Sequence, residues 1–431
     1  MAGIVGMIGE DVSCEQAQAM LDRIAHRGPD GQHMIEGREF VLACCESDTG
    51  SKRRRSYAGG DKEGLVFDGV IWDSAGGYQT DAELLYRQFR TFGRESFQRI
   101  DGSYAVAVAN DDDLLLARDR IGVRPLFYAR VAEGIFFSSE VKALLGLTEV
   151  PCELPPGCVF SSRHGLRRFD VADTEVPGTG SVSKARRLVR DLLVDATRKR
   201  MLEGAVGGVA LSGGLDSSIV AAIALDIDPS LELYTAGLAG SPDLENAVRV
   251  AEHLNARSRH HVRVVGEQEI RRLVRDAIWY LESFEEDCVE GCVANMLVAE
   301  QARQHTNCCL CGDGADVLFG GYQLLKRLKG KQRRETMLEA LLKDAYSTGF
   351  RRLDRGWRSR SVNYRAPFLD SRVVALARQM PVQWKIHGEP PVEKWILREA
   401  FRDLLPAPVI DRSKLTPASG TSVDQFMTRI A

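Results

Sequence analysis

Short apolar runs separated by turn residues dominate the first 170 residues of the chain. The clearest of these runs are 104–109, 114–117 and 134–137. Helical patterns interrupt them at 14–27 and 81–92. Many short strands with few helices are typical of layered α+β domains. The pattern therefore predicts an α+β domain over residues 1–170.

From residue 185 onward, predicted strands alternate with helices. A stretch rich in turn-forming residues over 171–184 is predicted to be a linker. Beyond it, strands are predicted at 206–211, 231–236 and 261–265. The helix between the last two starts at Ser241-Pro242, which suits an N-cap and a first helical position. This βαβαβ order predicts a doubly wound parallel sheet within 185–431, with ligands at the carboxyl ends of its strands.

A phosphate-binding loop is predicted directly after the first of these strands. Residues 212–218 read Ser-Gly-Gly-Leu-Asp-Ser-Ser. The two glycines allow a tight turn, and the hydroxyl and amide groups that open the next helix can donate to an anion. Asp216 is placed to hold a magnesium ion against phosphates. No lysine follows the glycines, so the loop is not of the Walker type. It matches instead the pyrophosphate loop of enzymes that split ATP between its α- and β-phosphates.

Composition narrows the functional classes. A chain of 431 residues is too long for one ordinary core, and 44% hydrophobic with 27% charged residues is typical of soluble globular proteins. A net charge of −3 argues against bulk attraction to nucleic acid or to a membrane surface. No apolar run is long enough to span a bilayer, and the N-terminus lacks a signal-peptide pattern, so we expect a cytoplasmic protein.

Ten cysteines are expected to be thiols in that compartment. Five of them cluster at Cys288, Cys292, Cys308, Cys309 and Cys311. Their spacing matches no standard zinc or iron–sulfur signature. We therefore interpret them as small buried hydrophobic residues on a helix and a strand, and a metal site there remains the alternative.

A series of motifs resembles the asparagine synthetase B family through most of the chain. They lie at 3–6, 26–31, 101–102, 118–126, 138–143, 212–218, 240–243, 312–316, 319–322, 365–370 and 396–398. The resemblance implies an N-terminal αββα domain of the Ntn-hydrolase type (a type 2 glutamine amidotransferase) followed by an ATP pyrophosphatase domain. In the family, the first domain releases ammonia from glutamine. In the second, ATP adenylates a carboxylate, and ammonia displaces AMP to leave an amide.

The resemblance also implies roles for individual residues. The ATP site would comprise Leu211, Ser212, Gly213, Gly214, Asp216, Ser217, Ser218, Ala236, Gly237, Cys311 and Gly312. Asp216 and Asp316 would hold magnesium and pyrophosphate, since two hard carboxylates suit a hard cation. Lys414 matches a lysine that neutralises the α-phosphate. Asp313 matches a carboxylate that orders the intermediate and accepts a proton from the amine, and it favours amide formation over β-lactam formation.

The glutaminase site is expected to be inactive. Ala2 would follow Met1, and its methyl group cannot serve as the thiol or hydroxyl nucleophile that this class needs. Asp68 replaces the asparagine of the oxyanion hole, where a carboxylate would repel the developing charge. Residues 43–46 lack the arginine that grips glutamine, although Asp81 remains at the position that holds its amine. Cys14, Cys44 and Cys45 lack an adjacent terminal amine. The nitrogen source is then ammonia, another amine, or ammonia delivered by a separate glutaminase.

The sequence does not decide which carboxylate is activated. The side chain of aspartate is favoured, which would make asparagine the product. The acidic stretch 285–290 is interpreted as solvated, but it would disfavour aspartate and suit a substrate bearing amines if it lined the pocket. The resemblance also implies an alternative, a macrolactam cyclase acting on a precursor peptide, because such relatives lack a working glutaminase and need no ammonia. The basic runs 326–334 and 351–360 are interpreted as a helix face and a loop, or as a dock for an anionic partner.

Two further classes are weighed. A tRNA-modifying pyrophosphate-loop enzyme would need aromatic residues among the basic runs, and only Trp357 qualifies. A non-catalytic relative should have lost Asp216, Asp316 or Lys414, and all three are present. The oligomeric state, a homodimer included, is not set by the sequence.

Overall fold

The computed structural model describes residues 2–47, 55–59, 62–72, 80–147, 150–169, 176–202 and 206–423. The chain divides into two compact units, 1–172 and 173–431. Of the predicted linker 171–184, residues 171–175 lie outside the described part, and a helix begins at Val182. The two units are described separately.

The first unit contains two antiparallel sheets, each with six strands in the described part of the chain. The strands are β1 (Ala2–Gly9), β2 (Gly31–Glu36), β3 (Phe40–Glu46), β4 (Ser56–Ala58), β5 (Glu63–Ile71), β6 (Gly102–Asn110), β7 (Leu114–Arg118), β8 (Phe127–Val131), β9 (Gly134–Ser138), β10 (Cys152–Glu153), β11 (Cys158–Ser161) and β12 (Gly165–Arg168). The sheet orders are β10-β8-β9-β1-β3-β2 and β12-β11-β7-β6-β5-β4. The helices are α1 (Cys14–Asp22), α2 (Asp81–Phe92) and α3 (Ser96–Arg99).

Alternating side chains build four layers from these elements. Ile4 and Leu42 of the first sheet pack against Val66 of the second, so a shared core lies between the sheets. The neighbouring positions Val5 and Val41 face the other way and pack against α1. On the far side of the second sheet, Phe67 and Val106 pack against α2 and α3. Because successive residues of a strand face opposite sides, each sheet covers two apolar layers. The predicted αββα architecture is confirmed.

The second unit is built on a parallel sheet, and its described part contains five strands. The strands are β13 (Gly208–Ala210), β14 (Glu232–Leu238), β15 (His260–Val265), β16 (Cys308–Leu310) and β17 (Asn363–Arg365). The helices are α4 (Val182–Met201), α5 (Leu215–Ile227), α6 (Pro242–His253), α7 (Glu267–Leu281), α8 (Glu286–Ala302), α9 (Ala315–Phe319), α10 (Gln323–Arg327), α11 (Lys331–Asp344), α12 (Gly349–Arg358), α13 (Ser371–Gln379), α14 (Val382–Lys385), α15 (Trp395–Ala400), α16 (Ala407–Ile410) and α17 (Pro417–Thr421).

The strand order of this sheet is β15-β14-β13-β16-β17, with every neighbouring pair parallel. The chain therefore winds outward from β13 in one direction and then returns to build the other side. Such a reversal opens a crevice at the carboxyl ends of the two strands that flank it, here β13 and β16. The predicted doubly wound sheet is confirmed.

The basic run 351–360 does not form a positively charged surface. It lies largely on α12, where the side chains of Arg355 and Arg358 are buried. Arg355 pairs with Glu282 at 3.0 Å, and Arg360 pairs with Asp276 at 2.9 Å. These arginines bind neighbouring helices, so a dock for an anionic partner is not supported here. No helix among the described residues is long and apolar enough to cross a membrane.

A buried histidine connects the sheet to the loop after β13. His260 Nε2 lies 2.7 Å from Thr235 Oγ1, and that hydroxyl donates to the Leu211 carbonyl at 2.5 Å. The hydroxyl hydrogen is thus used, so His260 must donate from Nε2 as a neutral ring. His260 Nδ1 is buried without a hydrogen-bond partner in the described part of the chain. Burial, helped by the charge of Arg257, lowers the pKa of His260 to about 4.

This histidine should make stability sensitive to acid. Between its ordinary pKa of about 6.5 and its folded value, the unfolded chain binds a proton that the folded chain does not, so stability falls as pH falls through that window. From pH 7 to pH 5 the loss should be about 2 kcal/mol. His260→Gln keeps an N–H donor without titrating, so its urea unfolding free energy should lose about 2 kcal/mol less over that range. Equal losses in both proteins would contradict this assignment.

Candidate active site

The loop predicted to bind phosphate lies between β13 and α5. Gly213 has φ +68°, and a Cβ there would lie 2.3 Å from the backbone nitrogen of Ala247, so only glycine fits. Ser217 Oγ accepts a hydrogen bond from Ser212 N at 3.1 Å, and Ser218 Oγ donates to the Gly214 carbonyl at 2.7 Å. These bonds fix the loop in shape and leave its exposed edge at the carboxyl end of the sheet.

Two carboxylates and two lysines meet beside this loop. Lys394 Nζ lies 2.5 Å from Asp216 Oδ2 and 2.5 Å from Asp316 Oδ1. Lys414 Nζ lies 2.9 Å from Asp316 Oδ2 and 3.8 Å from Asp216 Oδ2. We call these four residues the charge cluster. The structure thus brings together Asp216, Asp316 and Lys414, which the sequence singled out.

Lys394 is the member that sequence reasoning missed. It is 1% exposed and lies between the two carboxylates, whereas Lys414 approaches from the rim. Its signal was its position two residues before Ile396-Leu397-Arg398, one of the motifs of the family resemblance.

In two members of the charge cluster, the pKa is shifted in the direction that favours the charged form. Burial opposes the charge on Asp316, but Lys394 and Lys414 hold the pKa of its carboxyl well below the usual range. Burial likewise opposes the charge on Lys414, and Asp316 and Asp216 hold the pKa of that ammonium above its ordinary value. The cluster therefore places two ammonium groups, each paired with a carboxylate, next to the loop predicted to bind phosphate.

Room for Lys394 depends on the glycines that follow α9. A Cβ on Gly321 would lie 1.9 Å from Asp316 Oδ1 and 2.3 Å from Lys394 Cε. Gly320 ends α9 at φ +76°, which turns the chain away from the carboxylate. The Phe319-Gly320-Gly321-Tyr322 motif is thus explained by the need to seat a buried lysine.

Glu393 holds both lysine-bearing segments in place. Its Oε1 accepts hydrogen bonds from Lys414 N at 2.8 Å and from Arg398 at 2.8 Å. Its Oε2 pairs with Lys326 at 3.0 Å. The side chain is 2% exposed, and although burial opposes ionisation, these donors keep the pKa of Glu393 below its ordinary value. The residue next to it in the chain is Lys394, so one buried carboxylate positions both cations.

Arg412 connects the same C-terminal segment to the loop. Its guanidinium pairs with Asp243 at 2.9 Å and donates to the Gly213 carbonyl at 3.2 Å. Arg398 donates to the Arg412 carbonyl at 3.0 Å. The segment that carries Lys414 is therefore attached at Arg412 to the loop after β13 and to Asp243, and at the Lys414 backbone to Glu393.

A cavity of about 150 Å³ opens between these elements. Of the residues predicted from sequence, those that line it are Leu211, Ser212, Gly214, Asp216, Ser217, Ala236, Cys311, Gly312, Asp313, Asp316 and Lys414. The predicted residues Gly213, Ser218 and Gly237 are not among the residues that line it. Lining residues that the sequence did not single out include Asp243, Asn295, Arg352, Trp357, Lys394, Arg398 and Arg412. Most of these come from α8, α12 and the C-terminal segment.

Asp313 lines this cavity, and burial and nearby cations shift the pKa of its carboxyl in opposite directions. Burial raises the pKa of its carboxyl, while the charges of Arg352 and Lys414 lower it in part. A carboxyl with a raised pKa can accept and release a proton more readily near neutrality.

The acidic stretch 285–290 does not line the cavity, and of the five clustered cysteines only Cys311 does. Residues 285–287 are exposed at the start of α8, Glu290 is buried, and none of them lines the cavity. Cys288 and Cys292 are buried in α8, and burial raises the pKa of their thiols to about 11 and about 12. The described residues contain no group of three or more potential metal ligands from His, Cys, Asp and Glu.

In the first unit, the residues expected at a glutamine site are tied together by buried charges. The backbone N–H of Ala2 donates to Asp68 Oδ1 at 3.0 Å. Arg27 pairs with Asp68 at 2.8 Å and with Glu140 at 2.9 Å, and Ala2, Arg27, Asp68 and Glu140 are all 0% exposed. Asp81 opens α2 and lies 3.7 Å from the Arg55 guanidinium.

Comparison with known families agrees with this geometry. The asparagine synthase family profile matches residues 188–348 and 326–428, which together cover more than half of the chain. The chain belongs to the asparagine synthase family. The profile of the glutamine amidotransferase domain matches residues 1–160. The resemblance stated from the motifs is confirmed.

Curated relatives align over nearly the whole chain. Asparagine synthetase [glutamine-hydrolyzing] 2 of Oryza sativa subsp. japonica is 28% identical over 96% of this chain and 76% of that protein. Asparagine synthetase B [glutamine-hydrolyzing] of Escherichia coli K12 is 28% identical over 90% of this chain and 76% of that one. The Gallus gallus asparagine synthetase [glutamine-hydrolyzing] is also 28% identical, over 96% and 83%.

A solved glutamine phosphoribosylpyrophosphate amidotransferase from B. subtilis, complexed with ADP and GMP, is 16% identical. It covers 54% of this chain and 65% of that chain at a TM-score of 0.35.

The role of Glu393 can be tested by its removal. Glu393→Ala would leave Arg398 and Lys326 without their shared carboxylate, which should destabilise the second unit by about 3–5 kcal/mol. Hydrogen exchange in residues 410–416 should also accelerate. The control is Glu399→Ala, because Glu399 pairs with Arg402 on the surface and should cost less than about 1 kcal/mol. Similar losses of unfolding free energy in the two variants would show that the ion pairs of Glu393 stabilise the protein no more than those of an exposed residue.

Proposed function

We propose that this protein is an AMP-forming carbon–nitrogen ligase that uses ATP to adenylate a carboxylate, releases pyrophosphate, and joins the activated carboxyl to ammonia. The side chain of aspartate is the acceptor we favour, with asparagine as product. The observation that carries this proposal is the charge cluster beside the loop after β13. Attack of a carboxylate on a triphosphate brings anions together, so a site for it must supply fixed positive charge at the phosphates.

Magnesium fits this site. Asp216 Oδ1 is buried and has no hydrogen-bond partner among the described residues, so a carboxylate lone pair is left for a hard cation. Asp316 is the second carboxylate within reach of the same lysines. Together Asp216 and Asp316 would hold Mg²⁺, which supplies charge neutralisation to the pyrophosphate when it is bound.

The remaining roles follow from position. Lys394 and Lys414 would stabilise negative charge that develops at the α-phosphate. The cavity wall formed by Leu211, Ala236 and Cys311 is apolar and suits a nucleobase. Asp313 would accept the proton that the incoming amine loses when the amide bond forms.

We further propose that the first unit does not hydrolyse glutamine, although the relatives are named as glutamine-hydrolysing enzymes. Ala2 offers no nucleophile, and its backbone N–H is bound by Asp68. The Asp68 carboxylate also neutralises Arg27 in a region with no exposed side-chain surface. The Asp68 carboxylate cannot donate a hydrogen bond to an oxyanion, and the Arg27 guanidinium is already engaged by Asp68 and Glu140. Ammonia or another amine would therefore enter from solution or from a separate glutaminase.

Two alternatives lack a supporting observation. A macrolactam cyclase on a precursor peptide needs no ammonia and so would suit an inactive glutaminase, but the acidic residues 285–290, which would suit a substrate bearing amines, do not line the cavity. A tRNA-modifying enzyme would need exposed aromatic residues among exposed basic ones, whereas Trp357, Arg355 and Arg358 are buried and the exposed basic run 326–334 contains no aromatic residue.

The nitrogen source gives a direct test. With ATP, magnesium and aspartate, purified protein should release pyrophosphate and form asparagine with ammonium, and should form no glutamate from glutamine. Ala2→Cys should not restore glutaminase activity, because Asp68 and Arg27 still fill the site. Steady glutamate production by the unaltered protein would overturn the proposed loss of the glutaminase. Absence of pyrophosphate with every acid tested would overturn the ligase itself.

The assignment of two lysines predicts a matched loss. Lys394→Gln and Lys414→Gln should each lower kcat for pyrophosphate release by roughly 100-fold or more, since each removes a fixed charge from the transition state. Lys331→Gln, an exposed lysine of α11, is the control and should keep full activity. Retention of more than a tenth of kcat in Lys394→Gln would remove that residue from the site.

A further inference from the structure

We infer that the basic run 326–334 is an electrostatic guide for the nucleotide, and that it raises the rate at which MgATP reaches the cavity. This inference rests on the proposed function for the identity of the anion. No residue of the run lines the cavity. Its role is therefore in the encounter with the nucleotide and not in holding the nucleotide once it is bound.

Most of the positive charge of this run has no partner within the described part of the chain. Six of its nine residues are Lys or Arg, and none is acidic. Lys326 pairs with Glu393 at 3.0 Å, and Lys331 pairs with Glu335 at 3.7 Å. The cations of the run that form no ion pair with a described residue are Arg327, Lys329, Arg333 and Arg334. All of these except Arg334 are exposed, so the run presents unneutralised charge to solvent.

This positive charge is a local feature of the protein. The chain carries 57 Lys and Arg against 60 Asp and Glu, a net charge of −3. MgATP carries about two negative charges, so the protein as a whole would repel it weakly. In the other basic run, 351–360, Arg355 is paired with Glu282 and Arg360 with Asp276. The unpaired cations of 326–334 therefore supply an attraction for the nucleotide that the net charge does not.

The residues of the run oppose the stability of the helix that they begin. No side chain caps α11, and its first turn contains no acidic residue. Lys331, Arg333 and Arg334 instead place cations at the positive end of the helix dipole, where acidic residues would stabilise the helix. Local arrangements that cost stability are expected where a surface has a function. Attraction of an anion from solution is a function that this arrangement serves.

The run lies beside the rim of the cavity. Gln323, at the start of α10, donates to the carbonyl of Lys414, which lines the cavity, at 3.0 Å. Lys326 reaches Glu393, whose other oxygen accepts from the Lys414 backbone at 2.8 Å. Arg327 lies one helical turn beyond Gln323, about 6 Å along α10. This separation is shorter than the Debye length of about 8–10 Å at physiological ionic strength, so the potential of the run extends to the cavity rim.

Attraction of this kind acts on the rate of encounter. Charge of one sign beside a cleft raises the association rate of an oppositely charged ligand, and the effect falls steeply with salt. Because the run does not line the cavity, loss of its charge should lower the association rate constant and leave the dissociation rate constant nearly unchanged. A nucleic acid is a less suitable partner, since the run contains no aromatic residue on which a base could stack.

The test follows the binding of fluorescent N-methylanthraniloyl-ATP to the full chain by stopped flow, with magnesium and without an acceptor acid, so no turnover is needed. The double variant Arg327→Glu/Lys329→Glu should lower the association rate constant roughly 5- to 10-fold in about 20 mM KCl. In about 500 mM KCl the difference should shrink to less than about 2-fold, because salt screens the charges. The neutral variant Arg327→Gln/Lys329→Gln should show an intermediate loss of about 2- to 3-fold at low salt.

The control is Arg257→Glu/Arg303→Glu, which changes the net charge equally. Both arginines are exposed, Arg257 just before β15 and Arg303 at the end of α8, and so lie toward the amino ends of the strands. This variant should keep the association rate constant of the unaltered protein. Equal rate constants in the two glutamate variants at low salt, or a change in the dissociation rate constant alone, would overturn the guide. If the unaltered protein binds no N-methylanthraniloyl-ATP, the nucleotide site of the proposed function is overturned, and the guide with it.

Discussion

The second unit depends on keeping two carboxylates side by side within a partly buried site. Asp216 and Asp316 would repel one another there, and each loses hydration as well. Lys394 and Lys414 balance them, so the charge cluster is neutral as a whole and every ammonium is paired. Removing any one member leaves an uncompensated charge. This constraint explains why so much of the C-terminal region is devoted to returning Lys394 and Lys414 to the sheet.

The order of the sheet brings the carboxylates together. β13 and β16 are neighbours, so the loops that leave their carboxyl ends meet at one edge. Contact there is very close, because a Cβ on Gly312 would lie 2.6 Å from Ser217 N. The lysines are placed by side chains rather than by the sheet. Glu393 fixes one end of the returning segment, and Arg412 fixes the other through Asp243. Strand topology thus sets the anionic half of the cluster, and buried ion pairs set the cationic half.

In the first unit, too, a buried charge is paired with charges of the opposite sign. Arg27 is fully buried and therefore needs anions, and Asp68 and Glu140 both supply them. An uncharged amide at position 68 could accept a hydrogen bond from Arg27 but could not neutralise it. The aspartate that would repel an oxyanion is the residue that satisfies the arginine. Asp68 therefore adds a buried ion pair to the first unit, and this contribution to its structure does not depend on any catalytic activity.

Local patterns predicted what local structure determines. The layered α+β class, the parallel sheet and the loop at 212–218 follow from the period of apolar residues and from glycines at turns, whereas the αββα order of layers came from the family resemblance; the structure confirms these elements of the fold. The lysine pair was only half predicted. Lys414 was reached through a motif, whereas the importance of Lys394 depends on Asp216 and Gly321, which lie far away in sequence. The ion pairs of Arg355 and Arg360 could not be predicted either, because their partners Glu282 and Asp276 belong to another segment of the chain.

The side of the cavity that α8 and α12 form shows most clearly which features could not be predicted from the sequence. Gly291 and Gly356 lie inside helices, where glycine weakens a helix and offers no chemistry. Each is explained only by the partner helix: Arg352 crosses over Gly291, and Asn295 packs on Gly356. The places of Arg352 and Asn295 are thus set by the fit of α8 against α12. The loop at 212–218 could be predicted from its own residues, whereas this helix packing depends on residues that are far apart in the sequence.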